Sequence, residues 1–380
     1  MAAPVKRLVV VIAGVAALVA ALVQGWFDVR QSRAFRRLLA EGDAAVAAGQ
    51  MPAAIEAFSG AVALRPQSML PYLRRGDTYR RQGRYESAER DLSQARTLDS
   101  TAPQPLELEG DARMARGDTR AAAASYRGYL ALDDRAPRLQ YKLGVALFRS
   151  GDLAGATEAA RRAIALDPAL AQAHQLLGIV ALARGQAADA SAALTRALEL
   201  DPASAATRAV LADLYASLGR TRDEIAHLEA AAVLDASRPE GLVALALGYD
   251  RHGRHDFALT TLERADERFP RSAVVGTAAA RLWLTRGPTA PGGEEIRRAV
   301  QVLGPLATES ASGETLALYG RALLLKGELI PARDALVRAT TRLPVPADAF
   351  LDLAVVEARL GHVDAARLAR ARHDALADGR

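Results

Sequence analysis

The sequence predicts an all-α repeat solenoid preceded by one membrane-crossing helix. Three observations carry this expectation. Glycine recurs seven times at intervals of 34 residues, alanine recurs at the same interval in a fixed phase, and residues 8–23 form an unbroken run of apolar or small side chains. The composition permits a packed core: half of the 380 residues are apolar and 24% are charged, unlike a disordered chain.

The apolar run comes first. Lys6 and Arg7 precede it, and Gln24, Gly25, Trp26 and Phe27 follow before charge begins at Asp28. A membrane span needs about 20 residues. Leu8 to Phe27 supplies them, with an aromatic pair placed for the interface. Residues 1–34 are therefore expected to form a single-pass signal anchor. The competing reading is a cleaved secretory signal, with the basic pair as its n-region and Val19-Ala20-Ala21 as its cleavage site. A helix buried in the domain is disfavoured, because nothing polar marks one face. Lys6, Arg7 and the amino terminus favour a cytoplasmic N-terminus and a periplasmic or otherwise extracytoplasmic array. Arg30, Arg33, Arg36 and Arg37 argue the other way, but large domains translocate largely regardless of such charge.

The repeats follow. Glycine stands at 49, 83, 117, 151, 185, 219 and 253; alanine stands at 54, 88, 122, 156, 190 and 258, with Glu224 as the one exception. Gly42, Gly76, Gly110, Gly144 and Gly178 lie seven residues before the first five of those glycines. A period of this length is the mark of a solenoid. Pro137 to Leu170 shows the chemistry of one unit. Leu143, Gly144 and Leu147 share a helical face, and Gly151-Asp152 supplies a turn. Ala156, Ala160 and Ala163 then recur on a second helix that Leu166 closes and Asp167-Pro168 stops. Gly144 and Ala156 are small where the two helices approach. One hairpin cannot bury its apolar side alone and must stack on its neighbours.

Units start near Phe35, Met69, Pro103, Pro137, Ala171, Ala205 and Pro239, giving seven regular repeats over 35–272. Three less regular ones fill 273–380. The unit from Ala273 carries an insertion between Gly287 and Glu294, then Ala299 and Leu303. The unit near Gly313 restores the register with Gly320, Gly327, Ala332, Leu336, Ala339 and Pro344. The unit near Ala347 carries Leu353, Gly361 and Ala366. The last helix, with Arg367, Arg370 and Arg372, suits a solubilising cap.

The pattern resembles the tetratricopeptide repeat. Tyr72, Gly76, Tyr79, Ala88, Leu92 and Ala95 match its motif in one unit. Leu38, Gly42, Ala54, Phe58, Ala61 and Pro66 match in another, and Leu177, Gly178, Ala190, Leu194, Ala197 and Pro202 in a third. The resemblance covers essentially everything after residue 34. It implies a right-handed α-α superhelix in which the first helix of each hairpin lines a concave groove that holds a protein or peptide segment. By register, the groove residues are Asp77, Arg80 and Arg81; then Glu107, Asp111 and Met114; then Arg138, Tyr141, Val145, Phe148 and Arg149; then Gln172, Gln175, Ile179 and Leu182. Tyr141 and Phe148 lie seven apart on one face beside arginines, the composition of a recognition hot spot. The competing reading is that they pack on the next hairpin.

Composition excludes several classes. Without cysteine there is no disulfide, thiolate zinc site or cysteine nucleophile. Without asparagine there is no N-glycosylation acceptor. The family's lysine-and-asparagine carboxylate clamp is likewise absent as the family builds it. All but three of the 49 basic residues (Lys6, Lys142 and Lys326) are arginine, a skew that with the alanine content suggests a GC-rich bacterial genome. Arginine can grip a carboxylate in two places. Arg74, Arg75, Arg80, Arg81 and Arg84 form the densest basic cluster, read as a solvated face or as a site for an acidic partner, anionic lipid headgroups or a phosphate. A net charge of +5 without a stacking platform disfavours nucleic acid. His252 and His255, with Asp250 and Asp256 nearby, are the only pairing that resembles metal ligands, and they read as a solvated turn. Gly292-Gly293 lacks the following Lys-Ser/Thr of a phosphate loop.

These readings converge on a non-enzymatic, membrane-anchored scaffold that uses no cofactor and binds proteins or peptides, in bacterial envelope assembly or secretion. Small-molecule substrates and nucleic acid are not expected. The alternatives are an accessory subunit of a polysaccharide-synthesis or export system, and a chaperone-like holder of exported chains.

Overall fold

A computed structural model describes residues 24, 26, 29–286 and 293–378. The body of the expected anchor and the insertion at 287–292 lie outside these residues. Among the described residues no helix is long and apolar enough to cross a membrane. Every regular element among them is helical, and the helices pair in sequence as hairpins.

Two compact units divide the hairpins, one ending at Leu200 and the other starting at Asp201. In the first, α1 (residues 29–47) pairs with α2 (Met51–Leu64), α3 (Met69–Arg81) with α4 (Tyr85–Leu98), and α5 (Gln104–Arg116) with α6 (Thr119–Leu132). Then α7 (Pro137–Arg149) pairs with α8 (Leu153–Leu166), and α9 (Ala171–Ala183) with α10 (Ala187–Leu200). In the second, α11 (Ala205–Ser217) pairs with α12 (Thr221–Leu234), α13 (Glu240–Arg251) with α14 (His255–Arg268), and α15 (Ala273–Arg286) with α16 (Glu294–Leu303). A 3-10 turn at Gly304–Leu306 follows. Finally α17 (Gly313–Lys326) pairs with α18 (Leu329–Ala339), and α19 (Ala347–Arg359) with α20 (Val363–Asp378).

The period has a local cause at each joint. Gly151 leaves α7 at φ +87°, and Gly49, Gly83, Gly117, Gly185, Gly219 and Gly253 are also left-handed, a region costly for any side chain with a Cβ. Asp152 then caps α8, accepting a hydrogen bond from the Gly155 amide at 2.9 Å. Second helices end on aspartates whose carboxylates accept the amide two residues on: Asp99 from Thr101, Asp133 from Arg135 and Asp167 from Ala169.

Close approach sets the packing. A Cβ on Gly178 would lie 2.5 Å from Leu194 Cγ and 3.3 Å from the Ala190 carbonyl oxygen. The facing alanines, Ala54, Ala88, Ala122, Ala156, Ala190 and Ala258, are all fully buried. In the first unit the largest cluster joins Tyr126, Leu139, Leu143, Leu147, Ala156, Ala160 and Leu176. In the second, Leu228, Val243, Ala246, Tyr249, Leu262 and Leu282 form its counterpart. At the end of the chain, Arg370 is exposed in the register position where earlier second helices bury Phe58, Leu92, Leu194 and Leu262.

Glu224, the exception to the alanine series, is as buried as the alanines. Its carboxylate lies 2.5 Å from an Arg251 guanidinium nitrogen and 2.7 Å from His252 Nε2. His252 Nδ1 in turn lies 3.2 Å from the Thr221 hydroxyl. A second buried carboxylate, Glu357, is held in the same way by Arg333 and His362, each at 2.6 Å. Burial alone would raise both carboxyls, but the hydrogen bonds from arginine and histidine outweigh it and hold both below the ordinary glutamate range.

Two predictions follow from this packing. Gly178→Ala should destabilise the protein by about 1–3 kcal/mol through overpacking; urea unfolding indistinguishable from wild type would mean the helices do not meet as described. Glu224→Ala restores the repeat's own residue and should stay within about 1 kcal/mol of wild type, whereas Arg251→Ala strands a buried carboxylate and should cost about 3 kcal/mol. Because the folded-state carboxyl is depressed, its contribution is present above the ordinary carboxylate range and is lost as pH falls through the depressed value. Acid titration followed by circular dichroism should therefore show Glu224→Ala losing less stability than wild type. An Arg251→Ala variant as stable as Glu224→Ala would contradict the assignment.

Candidate functional site: the first-helix face

The sequence-predicted groove residues lie on α3, α5, α7 and α9, the first helices of consecutive hairpins of the first unit. Their charges are largely used within the unit. Asp77 on α3 takes Arg80 at 2.6 Å and Arg81 at 2.8 Å, so these three close on one another. Lys142 of α7 reaches back to α5, with its ammonium 2.7 Å from Glu107 and 2.8 Å from Asp111. Asp111 also accepts a hydrogen bond from the buried Tyr126 hydroxyl at 2.8 Å. Two hairpins earlier, Arg74 of α3 lies 3.6 Å from Asp43 of α1.

The basic cluster of α3 is thereby accounted for. Arg74 meets Asp43, while Arg75 meets Asp91 at 2.6 Å. Arg80 and Arg81 meet Asp77, and Arg84 lies 4.6 Å above the Tyr79 ring. Three aspartates thus hold four of the five arginines and a ring holds the fifth, so the cluster is engaged within the unit although its charge is not fully neutralised.

On α7 and α9 the face changes character. Tyr141, Val145 and Phe148 are half-buried, packing with Met114 against the core of the first unit. Tyr141 also packs on Ala163, Leu170 and Ala173, so it serves the next hairpin as well as the surface. Burial raises its phenol above the ordinary value, with the nearby Arg149 opposing. Ile179 and Gln175 of α9 are half-buried, as is Leu182, while Gln172 is exposed. Arg138 and Arg149 are exposed at the two ends of α7, and among the described residues neither has a carboxylate within salt-bridge distance. The structure thus gathers Met114, Tyr141, Val145 and Phe148 into one apolar band flanked by two unpaired cations, and it leaves Asp77, Arg80 and Arg81 outside that band.

Sequence reading missed Lys142, the cation that ties α5 to α7. A signal existed: opposite charges 31 residues apart, three short of the period, face each other on adjacent first helices. Asp43–Arg74 and Asp111–Lys142 share that spacing. Arg321 and Asp352 repeat it with the signs exchanged. There burial raises the Asp352 carboxyl to about 6, against the opposing pull of Arg321.

In the second unit the first-helix face holds a cavity of about 490 Å3 between α13, α15 and α17. Thr277 and Thr315 hydroxyls meet there at 3.0 Å, and Arg281 pairs with Glu314. The histidine turn at 252–255 is structural: His252 serves Glu224, and His255 Nδ1 lies 2.6 Å from Asp250. Among the described residues no three His, Cys, Asp or Glu side chains are arranged to hold a metal ion.

Comparison with known proteins agrees with the fold. A model of the middle tetratricopeptide-like domain of cilia- and flagella-associated protein 70 matches residues 105–265, and a tetratricopeptide-repeat model matches residues 39–103. No curated protein matches the chain. Among solved structures, yeast Tom70 is 16% identical over 87% of this chain and 83% of its own, with a TM-score of 0.55. A tetratricopeptide repeat protein of Parabacteroides merdae is 16% identical over 65% of this chain and 97% of its own, with a TM-score of 0.54. MamA is 25% identical over 42% of this chain and 94% of its own, with a TM-score of 0.41. The two family models lie nearly end to end over the regular hairpins, and the chain carries tetratricopeptide repeats.

Proposed function

We propose that the protein is a non-enzymatic interaction scaffold whose first-helix face at α7 and α9 holds a segment of a partner protein. One observation carries the reading: on a face where other charges are consumed in pairs, Arg138 and Arg149 stand unpaired beside a half-buried apolar band. A segment presenting a large apolar side chain and a carboxylate satisfies both features, since arginine gives charge-assisted, two-pronged contacts. The hairpins fill the described residues and leave no separate catalytic domain among them.

The same reading places residues 8–27 in a membrane as an uncleaved anchor, with the repeats outside the cytoplasm and the partner in an envelope assembly or secretion system. Its support is the apolar run with its basic prelude. Tethering limits the partner search to a surface and raises local concentration.

Crosslinking in intact cells followed by purification of the full chain should recover a discrete protein partner. Phe148→Ala combined with Arg149→Glu should lower that recovery at least tenfold, while Arg81→Ala, which disturbs only a pair internal to α3, should leave it within about twofold. Equal recovery from the α7 double variant and wild type would refute the assignment of the face. A broad mixture of unrelated peptides in place of one partner would favour a chaperone-like holder. A C-terminal reporter that is active only outside the cytoplasm should be active; activity only inside would reverse the orientation.

A further inference from the structure

A cavity of the second unit lies away from its first-helix face, among the second helices. In the second unit, α12 and α14 flank a slot of about 660 Å3 floored by Leu242, Leu245 and Tyr249 of α13. The same slot occurs three repeats earlier in the first unit, between α6 and α8 over α7, with a volume of about 340 Å3. All eleven residues lining the earlier slot have register counterparts in the later one, which adds Asp256 and Arg268, so the slot belongs to the architecture and its contents belong to the sequence. Where the earlier slot has Gln140, Ala131, Gly155 and Glu158, the later one has Leu242, Val233, Phe257 and Thr260.

Register shows how exceptional that substitution is. The position of Phe257 is Ala, Ser, Gly or Asp in all six preceding repeats, and that of Val233 is Ala, Thr or Glu in all five preceding ones. The two side chains do not fill the slot: Val233 is 75% exposed and Phe257 is 56% exposed. Small or charged residues here would keep the outer surface soluble, so two neighbouring departures toward large apolar groups mark a surface that is covered in use.

The rim supplies charge. Arg254 lies 4.8 Å above the Phe257 ring and 5.5 Å above Tyr249, and the two ring centroids are 5.5 Å apart with their planes tilted by 40°. Arg264 and Arg268 also line the slot. None of the three has a carboxylate within salt-bridge distance among the described residues. Of the two carboxylates in the lining, Glu229 already accepts the Tyr249 hydroxyl at 2.7 Å, which leaves Asp256 against three arginines.

We propose that the slot between α12 and α14 docks an acidic amphipathic segment of a second protein, whose apolar side chains enter beside Phe257 and Val233 and whose carboxylates meet Arg254, Arg264 and Arg268. This surface is separate from the α7 and α9 face and stands or falls without it.

The test uses the full chain and a labelled synthetic peptide of about 15 residues, with leucines at helical spacing among glutamates. A twin peptide carries lysine in place of every glutamate. Fluorescence anisotropy should show saturable binding of the acidic peptide and at least tenfold weaker binding of its twin. Val233→Asp alters a largely exposed side chain and should weaken the acidic peptide at least tenfold with helicity and thermal midpoint unchanged, as should Arg264→Glu with Arg268→Glu. Phe148→Ala with Arg149→Glu should bind the peptide as wild type does. Failure to bind the acidic peptide, equal binding of both peptides, or a well-folded Val233→Asp variant that binds normally would overturn the proposal. So would loss of binding in the Phe148 variant alone. A chain that sediments as a dimer and becomes monomeric on Val233→Asp would make a second copy the occupant and overturn it equally.

Discussion

Close approach of two helices within each hairpin is the constraint on which the rest of the structure depends. Helices normally pack 8–10 Å apart, and the distance is set by the side chains at the crossing. Here glycine on the first helix meets a large side chain of the second: a Cβ on Gly76 would lie 2.9 Å from Leu92 Cγ, and one on Gly320 would lie 2.5 Å from Leu336 Cγ. The second helix answers with an alanine that has no exposed surface. Small residues at the crossing let leucine, phenylalanine and tyrosine seat on the partner helix. The apolar side left over is buried by the next hairpin, so stacking is obligatory. Six hairpins place glycine at this first-helix position, at 42, 76, 110, 144, 178 and 320, and Ala212, Ala246, Ala280 and Ala354 hold it in the other four.

A constraint repeated this often turns departures from it into information. Alanine at the crossing costs nothing to bury, so Glu224 requires a dedicated partner set, which Arg251 and His252 provide. The slot between α12 and α14 is built from the same neighbourhood, with Val233 following Glu224 on α12 and Phe257 lying on α14 just after the turn that holds His252. The strongest local exceptions to the repeat therefore cluster at the junction of the sixth and seventh hairpins. Buried polar groups fix geometry while contributing little net stability. The Glu224 network accordingly sets how α12 meets α13, whose Leu242, Leu245 and Tyr249 form the floor of the slot.

The repeat was legible in the sequence because its determinants are local and steric. Gly151 marks the left-handed turn, Asp152 the cap and Asp167-Pro168 the stop, and α7 and α8 end where those residues say. The functional face was legible only in part. Register places Asp77, Arg80, Arg81 and Tyr141 on the first helices, but it does not tell which charges are consumed. Asp77 closes on Arg80 and Arg81 because they lie three and four residues away on one helix. Tyr141 splits its surface between groove and neighbour, since its contacts Ala163, Leu170 and Ala173 come from the following helices. Partial burial of this kind depends on the height of the next side chain, which periodicity does not encode. The outer slot was legible in principle, by comparing position with position across repeats, and invisible to a search for conserved spacing.

Charge is treated differently on the two faces, and that difference bears on what each can bind. On the first-helix face, pairs such as Asp111–Lys142 reach from one hairpin to another and help fix the register between neighbours. Exposed pairs contribute little to stability, but a paired cation offers less to a visiting carboxylate, because the incoming group must displace the resident one. Unpaired arginines carry no such penalty. They occur at Arg138 and Arg149 beside one apolar band, and at Arg254, Arg264 and Arg268 beside another. The two sets lie in different units, the first on the first helices of its own unit and the second between the second helices of its own. Each rests on its own apolar residues and its own cations, so a change at one set leaves the chemistry of the other intact.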